Sequence, residues 1–240
     1  MSRRESLSGS VLFTLFLFGS VPFYGVVALL IGIFSTRATY RIAVAWSRTI
    51  LRLLDKLCGL DYSVEGLEHI QRENCVVLLK HSSAWETIAQ FAIFPKQTWV
   101  LKRELLWAPV LGWVLLLMRP IAIDRKARRV AVEQVVSKGI QRLNEGYWVM
   151  IFPEGTRVPA GQVGRYGISG ALLAIESGRP VIPVAHNAGA YWRRRGWRKR
   201  PGTIQMKIGA PIPTDGRTAR ELTEEVRQWI ETEVASMSDV

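Results

Sequence analysis

His81 is followed by Ser82, Ser83, Ala84, Trp85 and Glu86, which sets a histidine five residues ahead of a carboxylate. An imidazole with an ordinary pKa of about 6.5 can take a proton from a hydroxyl at neutral pH. A carboxylate on the other ring nitrogen fixes the tautomer and stabilises the cation that forms. The same stretch also reads Ser-x-x-Glu, a capping box in which Glu86 serves only the start of the next helix. The sequence leaves both readings open. A second block, Phe152-Pro153-Glu154-Gly155-Thr156-Arg157, bends the chain at Pro153 and Gly155. It offers in Arg157 a planar guanidinium suited to phosphate, or else a plain turn with a solvated arginine. Lys102-Arg103 and Asp124-Arg125 add further cations.

Short apolar runs at 75–79, 98–101, 121–123, 147–152, 181–184 and 203–208 read as strands, with helices near 83–93, 105–117, 127–144, 167–177 and 217–235. This alternation predicts an α/β fold: a mixed, largely parallel sheet flanked by helices. Each of the first four runs ends at one of the polar blocks. Ligands of open parallel sheets bind beyond the carboxyl ends of the strands, so the four blocks are predicted to share one site.

From Val11 to Phe34 the chain carries no charge over 24 residues. At about 1.5 Å per residue that covers a bilayer core of about 30 Å. The run is longer than the apolar region of a cleaved leader and lacks a small-x-small cleavage site. Arg3 and Arg4 precede it, while Arg37, Arg41, Arg48, Arg52 and Lys56 follow, so both flanks look cytoplasmic. Two arrangements fit: a hairpin in one leaflet, broken near Gly19, Pro22 and Gly25, or a single span. Residues 37–57 read as an amphipathic helix on the membrane surface. We therefore divide the chain into a membrane-associated helical region, 1–60, and a catalytic domain, 61–240. The expected location is a bacterial inner membrane, with the catalytic domain on the cytoplasmic side.

The formal charge of +12 calls for a polyanionic partner, and nine tryptophans favour a membrane surface over nucleic acid. The run Tyr191–Arg200 holds six basic residues among aromatics and suits anionic lipid or an acidic carrier protein. Cys58 and Cys75 are too few for a disulfide framework, and with three histidines the chain offers no zinc pattern. Cys75 lies in an apolar run and reads as packing; His69 and His186 read as surface or structural. The stretch Leu105–Leu117, apolar nearly all round, reads as a buried helix, an acyl-channel wall or a lipid contact.

Together, His81-Ser-Ser-Ala-Trp-Glu86 and Phe152-Pro-Glu-Gly-Thr-Arg157 resemble the signature of the 1-acylglycerol-3-phosphate O-acyltransferase family. Lys102-Arg103-Glu104-Leu105 running on to Ile123-Asp124-Arg125, and Val181-Ile182-Pro183-Val184, agree, so the likeness spans about Tyr62 to Ile212. The resemblance implies that His81 is the general base and Glu86 its partner. It further implies that Lys102 or Arg103, Arg125 and Arg157 hold the phosphate, while Glu154, Gly155 and Thr156 belong to the acceptor pocket. The donor would be acyl carrier protein or acyl-coenzyme A, the acceptor a lysophospholipid, with no metal or resident cofactor. Two positions depart from the family pattern: the acid is Glu86 where Asp is usual, and Met118-Arg119-Pro120 replaces a common glycine. Glycerol 3-phosphate or a lyso-ornithine lipid are rival acceptors. A lipid hydrolase is a rival class, although the chain has no Gly-x-Ser-x-Gly elbow; Gly167-Ile168-Ser169-Gly170-Ala171 lacks the last glycine. A membrane or nucleic-acid tether would leave the four strand-end blocks without a role.

Overall fold

The computed structural model describes residues 6–32, 34–70 and 73–237; Arg3 and Arg4 lie outside the described residues. Two long helices come first, α1 (Leu7–Gly32) and α2 (Thr36–Cys58). The sheet-bearing part then follows as β1 (Leu60–Glu65), β2 (Val76–Leu79), α3 (Trp85–Ile93), β3 (Gln97–Lys102), α4 (Leu111–Leu117), β4 (Ile121–Ile123), α5 (Arg128–Asn144) and β5 (Trp148–Ile151). It ends with α6 (Ser169–Ser177), β6 (Val181–His186), α7 (Ala188–Tyr191), β7 (Gly202–Ile208) and α8 (Ala219–Ser236).

The sheet has seven strands in the order β1-β7-β6-β2-β5-β3-β4. From β6 to β4 all neighbours are parallel; β7 runs antiparallel to β6 and carries β1 parallel at the edge. The mixed, largely parallel sheet expected from the alternation is thus present. The central strands are apolar on both faces because helices cover both. On β2, Val77 and Leu79 meet Ile50, Leu54, Trp85 and Ile88 of α2 and α3, whereas Val76 and Leu78 meet Val135, Leu173, Val226 and Ile230 of α5, α6 and α8. The period-2 alternation of strand side chains makes one short run serve two cores.

Three local readings change. Strand β1 was not expected; its alternation of Leu60, Tyr62 and Val64 with Asp61, Ser63 and Glu65 is that of an edge strand. The stretch 105–117 is not one helix. A 3-10 segment, Arg103–Trp107, stops at Ala108, whose extended ψ of 121° is what a following proline imposes, and α4 starts only at Leu111. The hairpin does not break near Gly19, Pro22 and Gly25 either: α1 runs unbroken through Pro22 and the chain reverses at Phe34-Ser35. Ser35 caps α2, its side chain accepting the Ala38 N–H, and Gly59 closes α2 in the left-handed conformation.

Helices α1 and α2 lie antiparallel, joined by the Trp46 indole N–H donating to Ser20 Oγ at 3.0 Å. Gly25 lets α4 approach, since a Cβ there would come within 2.4 Å of Val110 Cγ1. Phe13 is fully buried and meets Trp192 edge-on. Its outer face is apolar from end to end, with Leu12, Leu15, Phe18, Phe23 and Leu30 exposed. This is the one helix among the described residues long and apolar enough to cross a membrane.

Candidate active site

The carboxyl ends of β2, β5, β3 and β4 lie side by side and open on a cavity of about 410 Å³. Four of the blocks do converge there: His81 after β2, Phe152 and Arg157 after β5, Lys102 at the end of β3 and Arg125 after β4 all line it. The remaining wall is apolar, with Val21, Tyr24 and Ala28 from α1, Trp46 from α2, Phe91 from α3, and Val114 and Leu115 from α4. Leu105 and α4 therefore do line the channel, while Trp107, Trp113 and Leu116 point outward.

His81 Nδ1–H donates to Glu86 Oε1 at 2.9 Å, and the imidazole stacks on Phe152 at 4.0 Å between ring centres. With Nδ1 committed, Nε2 is the ring nitrogen left to meet a substrate. Glu86 has no solvent exposure; its carboxylate also accepts the backbone N–H groups of Ser82 at 3.1 Å and Ser83 at 2.9 Å. The geometry pairs Glu86 with the imidazole and forms only half of a capping box. Glu86 reaches back to the helix start as a capping glutamate does, and the same oxygen holds the imidazole. Ser83 does not complete the box: its Oγ accepts the Trp85 N–H and donates to the Trp192 carbonyl. Burial pushes the Glu86 carboxyl upward, but His186 and His81 beside it and the Ser83 N–H outweigh burial and hold it below the ordinary carboxylate range.

The other expected residues divide. Among the described residues Arg157 Nε is buried without a hydrogen-bond partner, a donor lacking an acceptor. Arg125 lies across the mouth and donates to the Gly155 carbonyl; burial draws its pKa below the ordinary value. Arg103 turns away and pairs with Asp124 at 3.3 Å, leaving Lys102 on the cavity side. Glu154 faces inward, not toward the cavity: Oε1 accepts Lys80 Nζ and Oε2 the His81 backbone N–H, both at 2.7 Å. Burial raises the Glu154 carboxyl despite Lys80. Gly155 sits at φ +66°, the left-handed turn that glycine adopts without strain, and Thr156 is exposed. Ser169 does not line the cavity.

Of the two readings open for His186, surface or structural, burial leaves the structural one, and sequence reasoning missed its neighbourhood. It is buried, its Nε2–H donating to the Lys80 carbonyl at 2.9 Å and its Nδ1 accepting the Ala188 N–H at 3.2 Å, with Glu86 at 3.8 Å. Both nitrogens are spoken for by the neutral ring. His69 bonds the Ile208 carbonyl at 2.9 Å, also a structural role. Burial holds the His186 imidazole below its ordinary value. The unfolded chain therefore binds a proton at about pH 6.5 that the folded chain refuses, so stability falls as pH drops through that range. We expect the melting temperature to fall between pH 7.5 and 5.5, and to fall less in His186→Gln. Identical pH slopes in the two proteins would show that another group is responsible.

Comparison with known proteins accords with this geometry. An acyltransferase family model matches residues 61–187. Over 236 residues the chain is 43% identical to the 1-acyl-sn-glycerol-3-phosphate acyltransferase of Pseudomonas aeruginosa, covering 96% of this chain and 92% of that one. The human 1-acyl-sn-glycerol-3-phosphate acyltransferase alpha is 28% identical over 174 residues, 71% of this chain and 62% of its own length. The crystal structure of the 1-acyl-sn-glycerophosphate (LPA) acyltransferase from Thermotoga maritima superposes with a TM-score of 0.80 at 22% identity, covering 98% of both chains, so the fold is shared throughout. The chain belongs to the 1-acylglycerol-3-phosphate O-acyltransferase family and is an O-acyltransferase.

Proposed function

We propose that the enzyme moves a fatty acyl group from the thioester of acyl carrier protein or coenzyme A to the sn-2 hydroxyl of 1-acylglycerol 3-phosphate, making phosphatidic acid. The observation that carries this reading is the His81–Glu86 pair at the head of an apolar cavity whose rim holds Lys102, Arg125 and the unpartnered Arg157 edge. His81 Nε2 takes the hydroxyl proton as that oxygen attacks the thioester carbon, and returns it to the departing thiolate. One C–O bond forms, one C–S bond breaks, and the products are an ester and a free thiol. Glu86 stabilises the imidazolium between the two steps. Arg157, with its planar fork, and Arg125 and Lys102 hold the phosphate, while the apolar walls take an acyl chain.

Residues 1–60 form the membrane element in this reading. A helix embedded along one side at Phe13 and Ala28 cannot also stand clear of its domain, which supports an unbroken α1 lying in one leaflet with the chain returning along α2, over a span. The basic loop adds to the attachment. Lys199 packs its ammonium over Phe13 and Trp192 and donates to Thr14, fixing the loop beside the exposed face of α1, with Arg193, Arg194, Arg195 and Trp197 outward.

Purified protein supplied with labelled acyl donors and a panel of 1-acylglycerol 3-phosphate, glycerol 3-phosphate and lyso-ornithine lipid should yield labelled phosphatidic acid. A different preferred acceptor would reassign the substrate, and free fatty acid alone would mean hydrolysis. His81→Ala should lower turnover by about 10² to 10⁴ with the fold intact. Glu86→Gln should also lose most activity; full activity there would sink the pair.

Arg157→Lys should weaken use of the acceptor far more than use of the donor, since an ammonium lacks the planar fork. Equal losses toward both would assign Arg157 a structural role.

With Cys58 and Cys75 replaced, a cysteine at Ser6 and one at Ser35 should both resist an impermeant thiol reagent in intact cells. Labelling at one of the two alone would favour the span.

A further inference from the structure

Beyond the two motif loops, a buried chain of charged and polar groups leads from the far face of the sheet to the backbone of His81. Lys80, 2% exposed, donates from Nζ to Glu154 Oε1 and to Glu231 Oε1, both at 2.7 Å. Glu231 lies on α8, and the same oxygen accepts the Tyr166 hydroxyl at 2.7 Å. Tyr166 comes from the loop between β5 and α6 and is itself buried. The second oxygen of Glu154 takes the His81 N–H, and the His81 carbonyl accepts the Val158 N–H at 2.8 Å. The sequence Tyr166, Glu231, Lys80, Glu154, His81 is therefore unbroken. None of Lys80, Glu154, Tyr166 or Glu231 lines the cavity.

Stability is a poor explanation for such a cluster. One ammonium between two carboxylates is costly to desolvate, and apolar replacements of buried ion pairs are often neutral or stabilising. What a fully bonded cluster does supply is a fixed geometry. Glu86 orients the imidazole of His81 and shapes the loop from Ser82 onward, but the His81 main chain itself is bonded by Glu154 and Val158. Glu154 fixes that position only while Lys80 fixes Glu154, and Lys80 has two carboxylates to choose between. Glu231, tethered by Tyr166, keeps the ammonium shared. Burial and the adjoining Glu231 push the Tyr166 phenol far above its ordinary range, so it stays a donor. A displacement of about 1 Å at a reacting group can cost about 10²-fold in rate.

We propose that Tyr166 and Glu231 are positioning residues for acyl transfer, acting through Lys80 and Glu154 to hold the His81 backbone at its working height over the cavity. The proposal rests on the reading of His81 as the base. Tyr166→Phe, which removes a single hydroxyl, and Glu231→Leu should each lower kcat about tenfold with KM for donor and acceptor within about twofold of the parent. Glu231→Gln keeps an acceptor for both donors and should recover much of the Glu231→Leu loss. Melting temperature is followed alongside, with rates expressed per folded molecule. Unchanged kcat in Tyr166→Phe and Glu231→Leu, or a loss matched by a rise in KM, overturns the proposal. If Glu231→Leu fails to fold, the Tyr166→Phe result decides. His81→Ala, run in parallel, keeps the two ideas apart: its retained activity would remove the base itself, whereas an inactive His81→Ala beside fully active outer variants would remove only the positioning role.

Discussion

A carboxylate without any access to water stands at the centre of this molecule, and the loop between β2 and α3 is shaped around its charge. Glu86 accepts two backbone N–H groups and one imidazole N–H, which is near the complement that an ionised carboxylate needs when no solvent reaches it. Those bonds dictate the rest of the loop. Ser82 and Ser83 must turn their N–H groups inward, so the chain leaves β2 sharply and α3 starts at Trp85. Trp85, fully buried beneath, packs against Tyr62 and His186 and ties the loop to the α2 side of the sheet. Removing the carboxylate would leave donors unpaired as well as an imidazole unoriented, so the His81–Glu86 pair and the local fold are one interaction.

That coupling explains what could be read from the sequence and what could not. The strands, their order of polar blocks and the shared cavity follow from alternation and from the rule about carboxyl ends of parallel strands, both of which are local or topological. The family resemblance assigns Glu154 to the acceptor pocket, and no local pattern names the partner that turns it inward. That partner, Lys80, sits just beyond the end of β2, 74 residues away. Glu231 gave no signal at all, since a glutamate on an amphipathic helix such as α8 ordinarily faces water. Strand β1 hid for a related reason: an edge strand with three polar residues acquires its identity only through pairing with β7.

The hairpin shows the same limit from the other side. Glycines and a proline inside an apolar run suggest a break, yet α1 carries Gly19 and Pro22 on its open side without breaking, and Gly25 serves packing by admitting α4. A residue suited to bending a helix is also one suited to close approach, and only the neighbour decides which property is used. Once α1 is packed this way, its inner face becomes a wall of the cavity.

The apolar helix and His81 therefore line one cavity, and this has a physical consequence for access to it. Val21, Tyr24 and Ala28 face the space next to His81, while Phe18, Phe23 and Leu30 of the same helix face outward. A hydrocarbon chain passing from an apolar exterior into this cavity would exchange one apolar environment for another, so burial alone offers little drive for the transfer. The discrimination must then come from the polar end of the substrate. If Arg157 holds the phosphate as proposed, its Nε, buried without a partner among the described residues, supplies that discrimination, because an acceptor lacking a phosphate would leave the donor unsatisfied whereas a chain one methylene shorter would change little.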